Sequence, residues 1–336
     1  MMKSNFFRPL RAKERDIRAV VRFKASSTGW KIFRLFLLLS LCYVVFFPIM
    51  FMLSNALRSG LDAVDPTIIW IPKHYTMQNF ITVFALLDYP RSFVSTVTIS
   101  IGSALLQIAV SAMTGYGFAK YKFRFRGVLF ALVLFTVVIP QQILVMSLYL
   151  KFKFFDMAGF GYLYSLITGQ MPNLLDNPLV FFVPSMFGVG LKGGLFIYIF
   201  RQFFRGLPNE LMSAAKIDGC GHFGIFIKIM LPNAVPAIVS VFLFSVVWHW
   251  SEIFYSSVFL STNQMLSPQL SSLRVQVFRA MTSNTASLMS LFTSESGSIE
   301  SVIQAGVFLV ILPVLLLYLV TQKFFVQGVE RTGLVE

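Results

Sequence analysis

Acidic residues are scarce in this sequence: 14 Asp and Glu stand against 28 Lys and Arg in 336 residues. Charged residues of both signs make up only 12% of the chain, about half the share in an ordinary soluble domain. So little charge cannot cover a water-facing surface of this size. Cysteine is nearly missing as well. Cys42 lies in an apolar run and Cys220 beside glycines in a basic loop, and neither has a spaced partner, which argues against a disulfide framework or a thiolate metal motif. No two histidines have metal-ligand spacing on one helix. Gly-Lys-Ser and Gly-Lys-Thr phosphate loops do not occur, nor does a Gly-x-Ser-x-Gly elbow or a convincing acid pair. The chain therefore has no residue set for catalysis and no such route to ATP. No repeat of fixed period is found.

What is abundant is hydrocarbon. Hydrophobic residues make up 56% of the chain, with 38 Phe and 15 Met, so lipid is the expected solvent for much of it. A membrane helix needs about 20 mostly apolar residues. Runs of that kind lie at Ile32–Ser54, Phe93–Phe118, Val128–Leu150, Leu179–Phe200, Ala234–Ser257 and Val302–Phe325. The fourth is interrupted by Phe187-Gly-Val-Gly-Leu-Lys-Gly-Gly194, which leaves its start open. The expected fold is an all-α integral membrane protein with about six transmembrane helices. The first apolar run is too long for a signal-peptide core and no small-x-small cleavage site follows it, so it is expected to be retained.

Orientation follows from Lys and Arg. Residues 1–31 form a basic tail, continued by Arg34. The loop holding Lys120, Lys122, Arg124 and Arg126 has no acid, and the loop after the fourth run has Arg201, Arg205, Lys216 and Lys228. The alternate loops are poorer in base. Both termini are therefore expected in the cytoplasm, and the net charge of +14 reads as topology rather than as nucleic-acid binding. The tail is either a topology determinant alone or a basic surface on anionic lipid, with Phe6, Phe7, Ile17, Val20, Val21 and Phe23 as apolar contacts. The loop Met281–Glu300, rich in Ser and Thr, reads as solvated or mobile.

The loop 206–232 carries the most information. Pro208 and Asn209 are helix start signals, Glu210 suits the positive end, and Gly219 is a stop signal. A second amphipathic run, Phe223–Met230, ends at Pro232. The spacing predicts a helix–turn–helix at the cytoplasmic membrane surface. Ala214 and Ala215 would leave a shallow face, either for another protein's groove or for packing on the chain's own bundle.

Within the apolar runs, Trp248-His249-Trp250-Ser251-Glu252 stands out. Trp248 and Glu252 are four apart and His249 and Glu252 three apart, so a continuous helix would put them on one face. Trp rings stack on sugar faces and His and Glu bond hydroxyls, which would make this a substrate path. Equally, the tryptophans form an interfacial belt and Glu252 pairs with a neighbouring helix. Lys192 either faces the path, favouring an anionic or hydroxyl-rich solute, or snorkels to the surface. The glycines Gly188, Gly190, Gly193 and Gly194 permit a kink or a close helix contact.

The run Glu210-Leu-Met-Ser-Ala-Ala-Lys-Ile-Asp-Gly219, followed by Leu231-Pro232, resembles the EAA signature of binding-protein-dependent ABC importer permeases. The family pattern is Glu-Ala-Ala, three residues, Gly, about nine more, then an apolar residue and Pro. Here Leu-Met-Ser separates Glu210 from the alanines, a register common in the sugar-importing branch, and Ser213 stands where Glu is usual. Thr114-Gly-Tyr-Gly-Phe-Ala-Lys-Tyr-Lys-Phe with Arg126-Gly127, Ile139-Pro140, Ser147-Leu-Tyr149 and Gln322-Lys-Phe-Phe-Val-Gln-Gly328 also match that branch. About residues 30–336 are covered, and the chain looks like the second, maltose-type permease subunit. The resemblance implies an ABC importer type I permease fold over 32–336, in the cytoplasmic (inner) membrane, for a sugar or oligosaccharide. It implies that loop 206–232 seats in an ATPase cleft, with Glu210 and Asp218 in polar contacts and Ala214, Ala215 and Gly219 allowing close approach, ahead of Leu231-Pro232. It further implies a second homologous permease, an ATPase dimer using ATP and Mg, and an extracytoplasmic solute-binding protein. No cofactor is expected on this chain. An ion-coupled secondary transporter and a membrane-embedded enzyme are the rivals; the former usually shows repeated halves and intramembrane acids, and Glu252 stands almost alone.

Overall fold

The computed structural model describes residues 8–156, 159–262, 264–282 and 297–333. Most of the loop expected to be solvated, 283–296, lies outside the described residues. The first half runs through α1 (Arg8–Ala56), α2 (Gly60–Val64), α3 (Gln78–Leu86), α4 (Tyr89–Lys120), α5 (Arg126–Val138), α6 (Gln141–Lys153), α7 (Phe160–Thr168) and α8 (Leu179–Met186). The second half comprises α9 (Gly193–Gly206), α10 (Glu210–Ile217), α11 (His222–Ile225), a π-helical turn Phe226–Met230, α12 (Leu231–Asn233), α13 (Val235–Trp250), α14 (Phe254–Phe259), α15 (Leu266–Thr282) and α16 (Ile299–Gly333). Among the described residues the sole strand-like pairing is one bridge, Arg58 to Tyr75.

Among the described residues three stretches are long and apolar enough to cross a bilayer unaided: Gly29–Ala56, Tyr89–Lys120 and Ile299–Lys323. Two bent pairs raise the number to five if each counts as one span. The expected third span is one of these pairs. It is not a single rod, because α5 and α6 meet at 100°. Pro140 has no N–H to continue the ladder, and Ile139 before it takes extended backbone (φ −65°, ψ 124°), as a residue preceding proline prefers. The fourth run does break, into α8 and α9. The fifth is shorter than expected: α13 stops at Trp250, and α11–α12 lead into it at 76°.

α4 is the central post. At 1.5 Å per residue its 32 residues reach about 48 Å, and it packs most extensively on α9, then on α13 and α8. Apart from Ile99, and Tyr116 and Phe118 near its end, the face it buries is mostly small or polar: Thr96, Ser100, Ser103, Ala104, Gln107, Ser111, Ala112 and Gly115. Small residues let helix backbones approach where lipid offers no hydrophobic drive between helices. Gly115 shows the need: a Cβ there would lie 2.6 Å from Phe200 Cβ and 2.9 Å from the Arg201 backbone nitrogen. Gln107 ties three elements together, donating to Leu191 O (2.9 Å) and accepting from Ser245 Oγ (2.6 Å).

The segment between α1 and α3 is organised by Asp62, buried in α2. Its Oδ2 accepts from the backbone N–H groups of Lys73 (2.6 Å) and His74 (2.8 Å), and its Oδ1 lies 2.7 Å from His74 Nδ1. Burial alone would raise its pKa, but the hydrogen bonds from His74 and Lys73 prevail and hold the carboxyl below its ordinary value. A depressed carboxylate pKa contributes stability that is present above the unfolded value, about 3.9, and lost as pH falls through the lower folded value. Protection of the Lys73 and His74 amides, relative to their intrinsic exchange rates, should therefore be full at pH 5–7 and fall only in stronger acid. Asp62→Ala should remove the acceptor and speed exchange of both amides at every pH. Unchanged protection in that variant would refute the role assigned to Asp62.

Candidate functional site

The elbow between α9 and α13 forms as the start and stop signals require. α10 begins at Glu210 after Pro208-Asn209 and ends before Gly219, whose φ of +79° is the left-handed turn glycine permits. Cys220 N–H reaches back to Ala215 O at 2.9 Å, so a helix-end carbonyl is satisfied across the turn. One detail differs from expectation: Asn209 makes no side-chain cap on α10. Its Oδ1 accepts instead from Lys120 Nζ (2.9 Å), which also donates to Leu207 O at 2.6 Å. Lys120, at the end of α4, thus clamps the start of the elbow. Tyr121 and His222 fasten its far side, with Oη and Nδ1 3.2 Å apart.

The elbow does not hang free below the bundle. Met212 and Ala215 of α10, and Ile225, Phe226 and Met230 beyond it, share one core with Ala112 and Tyr116 of α4, Phe200 and Phe204 of α9, and Ala237 and Val241 of α13. Aromatic edges and faces line this floor. Tyr116 and Phe226 stack at 5.2 Å between centroids, and Tyr116 meets Phe204 edge-on at 5.6 Å. Contacts of this kind add about 0.5–1.5 kcal/mol per pair beyond area burial. The elbow is therefore packed as one piece with α4, α9 and α13.

This packing places the two alanines of the elbow on different sides. Ala215 is only 2% exposed and faces inward, because it lies three residues from Met212 on the stripe that meets the bundle. Ala214 points outward, and Glu210, Asp218, Gly219 and Pro232 are exposed, with Leu231 half-buried. Beside them stand large apolar side chains that the reading of the motif missed: Ile217 is 87% exposed, Phe223 66% and Leu211 38%. Uncovered apolar groups among charged ones mark a contact surface more often than chance. The signal was legible in the amphipathic period, which puts Met212 and Ala215 inside and Leu211, Ala214 and Ile217 outside.

The structure separates most of the expected substrate-path cluster. Glu252 lies beyond the end of α13, so the common face with Trp248 and His249 does not form. Its Oε1 accepts from Tyr255 N–H (2.7 Å), fixing the start of α14. Trp250 is buried against the last span, its Nε1 donating to Val310 O at 3.0 Å. His249 is 1% exposed, with Nδ1 2.8 Å from Ser245 O. Trp250 is thus a core group, while His249 keeps its Nε2 without a hydrogen-bond partner among the described residues. Trp248 and Lys192 do come together: the Lys192 Nζ sits 6.0 Å from the Trp248 ring, which packs on Phe196 and Phe244.

Lys192 caps α9 with φ +58°, a left-handed conformation unusual for a residue with a side chain. The glycines around it serve close approach. A Cβ on Gly190 would lie 2.7 Å from Gln107 Nε2, and one on Gly194 would lie 2.5 Å from Thr136 Oγ1. The break and the α5–α6 bend enclose a cavity of about 500 Å³ lined by Lys192, Lys151, Asp156 and Tyr255 among aromatic and aliphatic side chains. Arg201, expected in the following loop, is inside α9, its guanidinium 3.8 Å from the Phe130 ring centre. Of the two remaining histidines, His74 pairs with Asp62 and His222 with Tyr121. Among the described residues no group of three His, Cys, Asp or Glu is arranged to hold a metal.

Residues 107–331 match the model of a family described as binding-protein-dependent transport system inner membrane component. The chain is 27% identical over 296 residues to the arabinooligosaccharides transport system permease protein AraQ of Halalkalibacterium halodurans, covering 87% of this chain and 92% of that protein. It is 26% identical over 297 residues to the polygalacturonan/rhamnogalacturonan transport system permease protein YtcP of Bacillus subtilis, covering 87% and 93%. A chain in the crystal structure of a bacterial ABC transporter importing the acidic polysaccharide alginate superposes with a TM-score of 0.65. At 21% identity that match covers 89% of this chain and 98% of the other, and it bears on the fold.

Proposed function

Since the chain belongs to the binding-protein-dependent transport system inner membrane component family, and is thus a multi-pass inner membrane protein, we propose that it is the permease subunit of an ATP-driven importer for a sugar or oligosaccharide. Its curated relatives named for arabinooligosaccharides and polygalacturonan support the substrate class. The single observation that carries the mechanism is the exposed elbow built into the core of α4, α9 and α13. A separate ATPase docks there, meeting Leu211, Ala214, Ile217, Asp218, Gly219 and Phe223, with Glu210 at the edge and Leu231-Pro232 leading into α13. Ala215 serves from behind by letting α10 lie close to its own bundle. ATP and Mg act in the ATPase, and no chemistry is done by this chain.

In this reading the membrane domain, 32–336, crosses six times. The bent α5–α6 unit and the α8–α9 unit count as the third and fourth spans, and both termini are cytoplasmic beside the basic tail 1–31. A second homologous permease completes the path, two ATPase copies lie below, and a solute-binding protein delivers substrate from outside. Gradient coupling is not favoured. Purification in mild detergent, with every accompanying chain identified, should recover an ATPase and a second permease, and uptake in lipid should need ATP. Recovery of this chain alone, with gradient-driven uptake, would refute the proposal.

A further inference from the structure

The cavity at the α8–α9 break has an unbalanced charge. Lys192 is half-buried, and the 14 residues of α9 place it about 21 Å from the cytoplasmic elbow. Neither Lys192 nor Lys151 forms an ion pair with a described residue. The acid on the wall, Asp156, already accepts from Gly161 N–H at 2.8 Å through Oδ1. The half-buried Lys192 ammonium, with Lys151 and the engaged Asp156 carboxylate at the exposed rim, leaves an excess of positive charge in a space walled by Phe155, Phe187 and Tyr255. A cation at membrane depth is costly without a counter-charge. The backbone around it is also held in place: Lys192 is left-handed, and Leu191 O is fixed by Gln107.

A second polar group lies next door. His249 lines a smaller annex of about 50 Å³ that shares Pro184, Gly190 and Tyr255 with the large cavity. Its Nε2 is buried and has no hydrogen-bond partner among the described residues. A buried polar atom left open at a cavity wall calls for a water or a ligand hydroxyl. Carboxylate, hydroxyl and ring faces together describe one chemical class.

We propose that the cavity receives a carboxylated saccharide, with Lys192 and Lys151 taking the uronate carboxylate, the aromatic wall taking the sugar ring, and the His249 annex accommodating a hydroxyl or its water. The inference rests on the import reading above and narrows its substrate from sugars in general to acidic ones. An anionic phospholipid offers the same negative charge, so the test separates the two sources.

The complete complex, with its ATPase, partner permease and binding protein, is assayed in proteoliposomes for uptake of neutral oligosaccharides and uronate oligosaccharides of matched length. Uronate oligosaccharides should be carried. Lys192→Gln should cut their uptake about tenfold, the scale of one charge-assisted hydrogen bond, with Lys192→Arg restoring most of it. Three results would overturn the inference while leaving sugar import intact. One is transport of neutral sugars only; another is an equal loss for neutral and acidic sugars in Lys192→Gln. The third is native mass spectrometry finding anionic phospholipid held by the wild type and lost from Lys192→Gln with uronate uptake unchanged. Failure to move any saccharide with ATP would instead overturn the import reading itself.

Discussion

Gly219→Asp should leave the protein inserted and folded yet reduce ATP-driven uptake by about 100-fold. Inside the chain the substitution meets no obstacle, since a Cβ at Gly219 has nothing within 4 Å. The left-handed backbone there, φ +79°, costs a side chain about 1–2 kcal/mol. That is too little to unfold a bundle held by the aromatic floor under α10. The damage falls at the docking face. A carboxylate pressed between two closely fitted surfaces is buried without a partner, a loss of about 3–5 kcal/mol, and it holds the surfaces apart so that neighbouring contacts weaken too. Gly219→Asn, which tolerates the same backbone without charge, should fall between wild type and Gly219→Asp. Membrane abundance near wild type with uptake lost is the expected pair of results. Wild-type uptake by Gly219→Asp would remove Gly219 from the interface.

Phe223→Ala should weaken ATPase association about 30-fold without destabilising the permease. Phe223 is 66% exposed, and its contact with Phe226 is loose, at 6.4 Å between tilted rings. Truncating it therefore removes little from the bundle. An exposed aromatic at the tip of a contact surface is the type of residue that dominates association, with truncation costing about 2 kcal/mol. Titration of the purified ATPase against the permease in nanodiscs reads this directly. Thermal unfolding of the variant should match wild type within a few degrees, which distinguishes lost docking from lost fold. Equal ATPase affinity for both proteins would show that the tip lies outside the interface.

Much of the helical plan was legible because it depends on local chemistry. Pro140 and Gly219 act through their own backbones, so the bend between α5 and α6 has a sequence cause, and the end of α10 falls where Gly219 marked it. The Trp248–Glu252 spacing did not become one shared face for a physical reason. Three- and four-residue spacing defines a face only while the helix continues, and α13 ends at Trp250. Nothing in the apolar run distinguishes a tryptophan packed on α16 from one facing a path. The Trp250–Val310 bond spans 60 residues and leaves no local period.

Lys120 shows the same limit. Its charge was counted for orientation, yet its contacts, Leu207 and Asn209, lie 87 and 89 residues away. Asp62 fell in a connecting loop with no motif. Its role comes from two backbone N–H groups, which a side-chain pattern does not reveal. The partition into an outward and an inward alanine was legible in the helical period rather than in the motif. The motif names Ala214 and Ala215 together, whereas the three-residue spacing from Met212 puts Ala215 on the inward stripe.

The central claim is mechanical: ATP-driven motion in another subunit enters through the tip of α10 and moves α4, α9 and α13 as one packed body. Site-directed crosslinking from Ala214→Cys in the intact, transport-competent assembly tests it most directly, with nucleotide present and absent. The account predicts an adduct with the ATPase whose yield changes with ATP. Adducts confined to lipid or to this same polypeptide, in an assembly that still transports, would contradict it.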